Sequence, residues 1–268
     1  MKYKVITLLE NSVYGCRLQG EHGLSLYIES DKYKLLFDTG ASGLFIRNAV
    51  ELGINLEEID YLILSHGHSD HTGGLSDFLK INRKASVVCK KEILNPKFKE
   101  KRENGIIQNE CFDTSRFLFI DRQTELIPNL FLFPNIEIED TEDTHFEHFY
   151  TKINGAIVPD AFDDELALAL IDNHTYSIIS ACSHRGITNI IRTVQKSFPS
   201  YTFNILIGGF HIHNAPDSKF HRIASFLEQN PPSHIGICHC TGINKYALFC
   251  QRFQDRVFYN YTGFAINI

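Results

Sequence analysis

A chain of 268 residues with 43% hydrophobic and 22% charged side chains has the make-up of a folded globular protein, which excludes a disordered or fibrous one. Its formal charge of −6 argues against a general nucleic-acid-binding surface. The seven cysteines are scattered and form no disulfide framework, and neither a signal peptide nor an apolar run of roughly 18 residues is visible, so a soluble protein of the reducing cytoplasm is expected.

Residues 4–9 read as a first strand, and Asn11 follows in a polar loop. Residues 21–29 and 33–37 read as two strands joined by the tight turn Ser30-Asp31-Lys32. Asp38-Thr39-Gly40 closes the second of them. A helix is expected over 43–52, with Asp38 able to cap it and Gly53 to stop it. The apolar run Tyr61-Leu62-Ile63-Leu64 is a buried strand that leads directly into Ser65-His66-Gly67-His68-Ser69-Asp70-His71-Thr72-Gly73-Gly74. Three imidazoles and a carboxylate thus fall within six residues. His66 and His68, two apart in an extended loop, can converge on one cation, and Asp70 and His71 can turn toward a second. Imidazole and carboxylate together suit zinc, iron, nickel or manganese better than magnesium or calcium.

A short helix is expected over Leu75 to Ile81 and a strand over Ala85 to Cys89. Residues 90–104 are the one clearly basic stretch, with Lys90, Lys91, Lys97, Lys99, Lys101 and Arg102. It reads as a solvated helix face or, alternatively, as a lid whose lysines meet an anionic substrate. Residues 106–150 hold short apolar runs, Phe117 to Ile120 and Leu130 to Phe133, expected as strands between loops. His145 and His148 are expected at the surface. Beyond Pro159, Leu166 to Ile171 and Tyr176 to Ser180 form a hairpin about Asp172-Asn173-His174. It ends in Ala181-Cys182-Ser183-His184-Arg185-Gly186, before a helix through about Lys196. A strand over Phe203 to Ile207 ends in Gly208-Gly209-Phe210-His211-Ile212-His213. A helix over 217–229 stops at Pro231-Pro232, and a strand over 234–238 ends in Cys238-His239-Cys240-Thr241-Gly242. A last helix and two strands complete the chain. Three times in this half a strand ends in a histidine-bearing loop, where a rigid sheet can hold ligands at fixed distances.

The H-x-H-x-D-H cluster after a strand, continued by Thr72-Gly73-Gly74, resembles the signature of the metallo-β-lactamase superfamily. Glu21-His22-Gly23-Leu24-Ser25, Asp38-Thr39-Gly40, Cys182-Ser183-His184-Arg185-Gly186, Gly208-Gly209-Phe210-His211 and His239-Cys240-Thr241-Gly242 together look like one branch of it. That branch is commonly labelled 7,8-dihydropterin-6-yl-methyl-4-(β-D-ribofuranosyl)aminobenzene 5′-phosphate synthase, or dihydropteroate synthase-like. Branch members often carry His-Pro after the strand at 85–89, where this chain has Cys89-Lys90-Lys91. The fold and metal site therefore carry over further than the pterin reaction.

The resemblance implies an α/β fold, a four-layer αββα sandwich that uses residues 1–268 as one domain. It implies two divalent metal ions, zinc in the first place, with iron or manganese as alternatives. His66, His68 and a later histidine would hold one ion, and Asp70, His71 and His239 the other. Asp38 would orient a metal-bound histidine by a hydrogen bond. The superfamily's bridging aspartate is missing after the strand at 175–181, so His184 or Cys182 fills that role. His184 is favoured, because the branch pattern carries it and a neutral imidazole binds metals without a redox liability. Cys182 stays open as the alternative, since a thiolate is a strong zinc ligand. Cys238 and Cys240 flank His239 and in an extended segment point away from it, so they are not counted. Asp70 is expected to be catalytic through water activation. His211 would protonate a leaving group or bind a phosphate, unless its role is structural, and Asn11 and His22 are further substrate contacts. The expected activity is that of a hydrolase or related transferase acting on a small phosphate-bearing molecule, pterin- or nucleotide-like. A nuclease and a non-catalytic metal-bound sensor are the alternatives. Neither nucleic acid nor a membrane is an expected partner.

Overall fold

The computed structural model describes residues 2–15, 17–106 and 114–268. Within them, one seven-stranded sheet runs in the order Ala265–Asn267, Lys4–Leu9, Ser25–Glu29, Lys34–Phe37, Tyr61–Ile63, Ser86–Cys89, Phe117–Phe119. Neighbours are antiparallel up to Lys34–Phe37 and parallel beyond it. The second sheet runs Val257–Tyr259, His234–Ile237, Thr202–Gly208, Thr175–Ile179, Ala167–Asp172, Leu130–Phe133, Thr124–Ile127. Its first four strands are parallel and the rest antiparallel.

Successive side chains of a strand point to opposite faces, so each strand feeds two cores. Val5, Ile28, Leu35, Ile63 and Val88 point inward and meet Leu132, Leu168, Leu170, Ile179 and Ile207 of the second sheet. Their neighbours Ile6, Tyr27, Leu36, Leu62 and Val87 point outward onto Phe45, Ala49, Leu75 and Phe78. Those last residues belong to the helices Leu44–Glu51 and Leu75–Ile81. On the far side Ile171, Ile178, Leu206 and Ile235 pack against Ile190, Val194, Phe220 and Phe249. The helices there are Ile187–Ser197, Asp217–Gln229 and Ile243–Phe253. The result is the expected αββα sandwich. Covering both faces of each sheet explains why its parallel strands read as near-continuous apolar runs.

The basic stretch departs from expectation. It forms a 3-10 turn over Lys91–Leu94 and the short strands Lys97–Lys99 and Arg102–Glu103. These join Phe149–Ile153 and Ala156–Pro159 in a small four-stranded sheet. It is not a helix face; Lys91, Lys99, Lys101 and Arg102 are exposed, but Lys97 is not. Lys97 is buried, its Nζ 2.9 Å from Asp160 and 2.8 Å from Asp164. The carboxylates that compensate it lie 63 and 67 residues away in sequence, beyond the reach of any local pattern. Lys99 is exposed, with its ammonium over the Phe149 ring.

Removing one partner of a buried ion network leaves the others uncompensated, at a cost of about 3–5 kcal/mol. Urea unfolding of Lys97→Met is expected to show a loss of that order. Lys99→Met, at the surface, should change stability by less than about 0.5 kcal/mol. Equal effects of the two would contradict the burial of Lys97.

Candidate metal centre

Apart from His22, which precedes the strand Ser25–Glu29, the candidate side chains follow the carboxyl ends of strands. Asn11 follows Lys4–Leu9, Asp38 follows Lys34–Phe37, and His66 follows Tyr61–Ile63. Cys182 and His184 follow Thr175–Ile179, His211 follows Thr202–Gly208, and His239 follows His234–Ile237. Asp38, Ser183, His211 and His239 all have positive φ, between 50° and 61°. That region is costly for a residue with a Cβ and persists only where the surroundings enforce it. Here it turns the chain sharply off the strand ends at these four positions.

The hydrogen bonds behind the imidazoles decide which nitrogen faces that space. His71 Nδ1 lies 2.7 Å from Asp38 Oδ2. The Ser65 hydroxyl donates to the same carboxylate, so its oxygen accepts from His66 Nδ1 at 2.9 Å. His184 Nδ1 donates to the His145 carbonyl at 3.1 Å, and His239 Nδ1 to Asn11 Oδ1 at 2.9 Å. In the neutral form of each ring these bonds place the proton on Nδ1 and leave the lone pair on Nε2. The Nε2 atoms of His66, His68 and His184 are buried without a hydrogen-bond partner. The donor atoms of these three residues lie within 4.8 Å of one another.

A second group gathers around Asp70. His71 Nε2 and His239 Nε2 are 3.2 Å apart. Asp70 Oδ2 is 3.7 Å from the first and 3.4 Å from the second. Cys182 Sγ is 3.2 Å from His71 Nε2. Ligands on a tetrahedral zinc with bonds of about 2.0–2.3 Å stand roughly 3.3–3.8 Å from one another. The observed separations are close to those of ligands around a shared cation. Electrostatics agree. Burial keeps His66, His68 and His184 well below the usual histidine range and therefore neutral. Burial also opposes a charge on His71, but the Asp70 and Asp38 carboxylates outweigh it and push that ring up to about 9. The two carboxylates make this corner of the site favour positive charge, as a divalent ion would supply. The residues present fit a pair of metal ions.

The outer residues divide. His22 is exposed, its Nε2 3.3 Å from Asp70 Oδ2 and its ring stacked on His239. Asn11 is exposed, and its amide hydrogen-bonds to the rings of both His239 and His22. His211 is half-buried, its ring centroid 4.2 Å from that of His184, with Nδ1 unpartnered. Both His184 and Cys182 reach the centre, so the geometry does not force a choice between them. Asp38 makes no cap for the helix Leu44–Glu51, which starts at Gly43 without a side-chain cap. His148 is exposed as expected, but His145 is buried, because its carbonyl is needed behind His184 and Lys219 closes over it. Cys240 also corrects expectation. Residues 239–241 form a 3-10 turn, not an extended segment, and His239 at φ 52° swings the Cys240 thiol toward the centre.

Residues 18–155 match the family described as the metallo-beta-lactamase superfamily. The chain belongs to that superfamily. It is 30% identical to the 7,8-dihydropterin-6-methyl-4-(beta-D-ribofuranosyl)-aminobenzene-5'-phosphate synthase of Methanocaldococcus jannaschii, over 94% of this chain and 92% of that one. It is 28% identical to the anti-Pycsar protein Apyc1 of Saccharibacillus brassicae, over 64% of this chain and 70% of that one. Among solved structures, Tm1679, a metal-dependent hydrolase of the beta-lactamase superfamily, superposes with a TM-score of 0.89 at 30% identity, covering 99% of both chains.

This member of the metallo-β-lactamase superfamily backs its metal-site loops with buried acids that sequence reasoning missed. Glu10 accepts the His239 N–H at 2.5 Å and the Tyr259 hydroxyl at 2.9 Å. Glu165 accepts the His184 and Arg185 N–H groups at 2.6 and 2.7 Å, and burial pushes its carboxyl up to about 7. Asp164 accepts the Gly67 N–H at 2.7 Å while bound to Lys97. Ser69 N–H donates to the Asn104 carbonyl, tying the loop to the small sheet. The Phe162 ring stacks on His184 at 3.8 Å. None of these residues stands in a motif beside its partner. Glu10, for one, is 229 residues from His239.

Asp38→Asn keeps the volume but puts an amide where His71 needs a pure acceptor. Loss of such a partner costs about 10–100-fold in metal affinity. Competition with a chelator should show a loss of that size, while circular dichroism stays unchanged. Undiminished affinity would remove Asp38 from this role.

Proposed function

We propose that this protein is a metal-dependent enzyme, a hydrolase or related transferase, that acts on a small phosphate-bearing molecule of pterin- or nucleotide-like character. The observation that carries the reading is the convergence of His71 Nε2 and His239 Nε2, 3.2 Å apart, beside the Asp70 carboxylate. Three such acceptor atoms share this space only with positive charge among them, which a bound metal ion would supply as a proton does. His66, His68 and His184 would hold one divalent ion, and Asp70, His71 and His239 the other, with zinc proposed from the donor types. When bound, the ions supply Lewis acidity and an activated water, so no protein nucleophile is required.

The chain's own residues divide the remaining work. Asp70, partly exposed between His22 and His239, orients the attacking water and carries the charge of the pair. His211, beside His184 with an unpartnered Nδ1, donates a proton to the leaving group. His22 is exposed next to Asp70 and contacts substrate, with Asn11 holding its ring. The phosphate in the name of the M. jannaschii relative's product supports a phosphate-bearing substrate here. The shared αββα frame supports a single catalytic domain, and scattered cysteines support a cytoplasmic setting.

Metal analysis of the purified protein should approach two equivalents, and a phosphoester and pterin panel should reveal turnover that Asp70→Asn lowers by orders of magnitude. Folded protein that holds no metal under any loading would sink the reading. His211→Ala should lower kcat/KM by about 10²–10⁴-fold for an alkyl phosphoester. A nitrophenyl ester needs no acid and should lose far less. Equal losses on both would reassign His211 to phosphate binding.

A further inference from the structure

We propose that Cys240 joins Cys182 and His239 in a sulfur-rich metal subsite, so that the centre binds its second ion through two thiolates and selects thiophilic metals. This rests on the reading of the cluster as a metal centre and specifies which atoms face the ion.

The donor atoms of Cys182, His239 and Cys240 are buried and lie within 4.8 Å of one another. Cys182 Sγ is the atom shared most widely. It also belongs to the set with His66 and His71 and to the set with His184 and His211. Cys240 reaches it because of two backbone features. His239 holds a left-handed conformation at φ 52°, which turns the following thiol inward. Gly209 leaves room for it: a Cβ there would stand 2.6 Å from Cys240 Sγ and 2.8 Å from the Ala181 carbonyl oxygen. The space a side chain would fill is taken by sulfur.

Buried cysteines are usually small apolar fillers, and this chain contains that kind as well. Cys238 lies in the apolar cluster between the sheets, and Cys89 in the one under the first pair of helices. Cys182 and Cys240 belong to neither of these, nor to the third apolar cluster of the described residues. Their neighbours are imidazoles. A thiol against imidazoles is in a ligand environment, and binding of a divalent ion would release both thiol protons to solvent. Two thiolates and an imidazole favour zinc, cadmium or cobalt over manganese or magnesium.

The test is cobalt substitution of the full-length protein, with bound cobalt counted by elemental analysis. Thiolate-to-cobalt charge transfer absorbs in the near ultraviolet, and imidazole and carboxylate ligands do not give that band. The wild type should show it. Cys240→Ser should reduce it by about half, Cys182→Ser with Cys240→Ser should abolish it, and Cys89→Ser should leave it unchanged. Bound cobalt without the band, or a band that survives Cys240→Ser at full height, overturns this proposal and leaves the metal reading intact. A folded protein that binds no cobalt or zinc overturns both. X-ray absorption at the zinc edge of the wild-type protein gives an answer without any variant. Two sulfur neighbours per chain at about 2.3 Å are expected, and one or none refutes the role of Cys240.

Discussion

The Asp38 carboxylate is fully buried and accepts hydrogen bonds from the Ser65 amide, the Ser65 hydroxyl and the His71 ring. It cross-links the end of one strand, the start of the metal loop and the short helix that carries His71. It also sets two tautomers: His71 directly, and His66 through a Ser65 oxygen that has already given its proton away. With the proton on Nδ1, each ring in its neutral form presents its lone pair on Nε2. The rest of the centre depends on that polarity, because His184 and His239 only complete what these two begin.

The same device recurs around the site. Glu10, Glu165 and Asp164 each accept a backbone N–H from a loop that carries a candidate ligand. A carboxylate is expensive to bury, and each of these is offset by several donors at once. Together they fix loop backbones at strand ends, where the sheet is stiff. Lys97 compensates Asp164 from behind its loop.

The layers and the principal cluster were legible because they depend on local periodicity and short spacing. Alternating or continuous apolar runs marked the strands, and His66, His68, Asp70 and His71 stand within six residues. What was not legible depends on contacts between distant segments or on one unusual dihedral. Lys97 looked like a surface charge because Asp160 and Asp164 lie so far along the chain. His145 looked exposed because the ring it supports, His184, comes 39 residues later. Cys240 looked as if it pointed away because the alternation rule holds only in extended backbone, and His239 is not extended.

The small sheet has a consequence for modularity. Through Lys97 and Asp164 it grips the Gly67 amide, and through Asn104 it grips the Ser69 amide, both inside the H-x-H-x-D-H run. The run is therefore not a self-contained cassette. Transplanted onto another αββα frame, it would bring its donor atoms without the brace that spaces them. Conversely, lineages that lengthen or shorten residues 97–104 would retune the metal centre from outside it, with no change to a ligand.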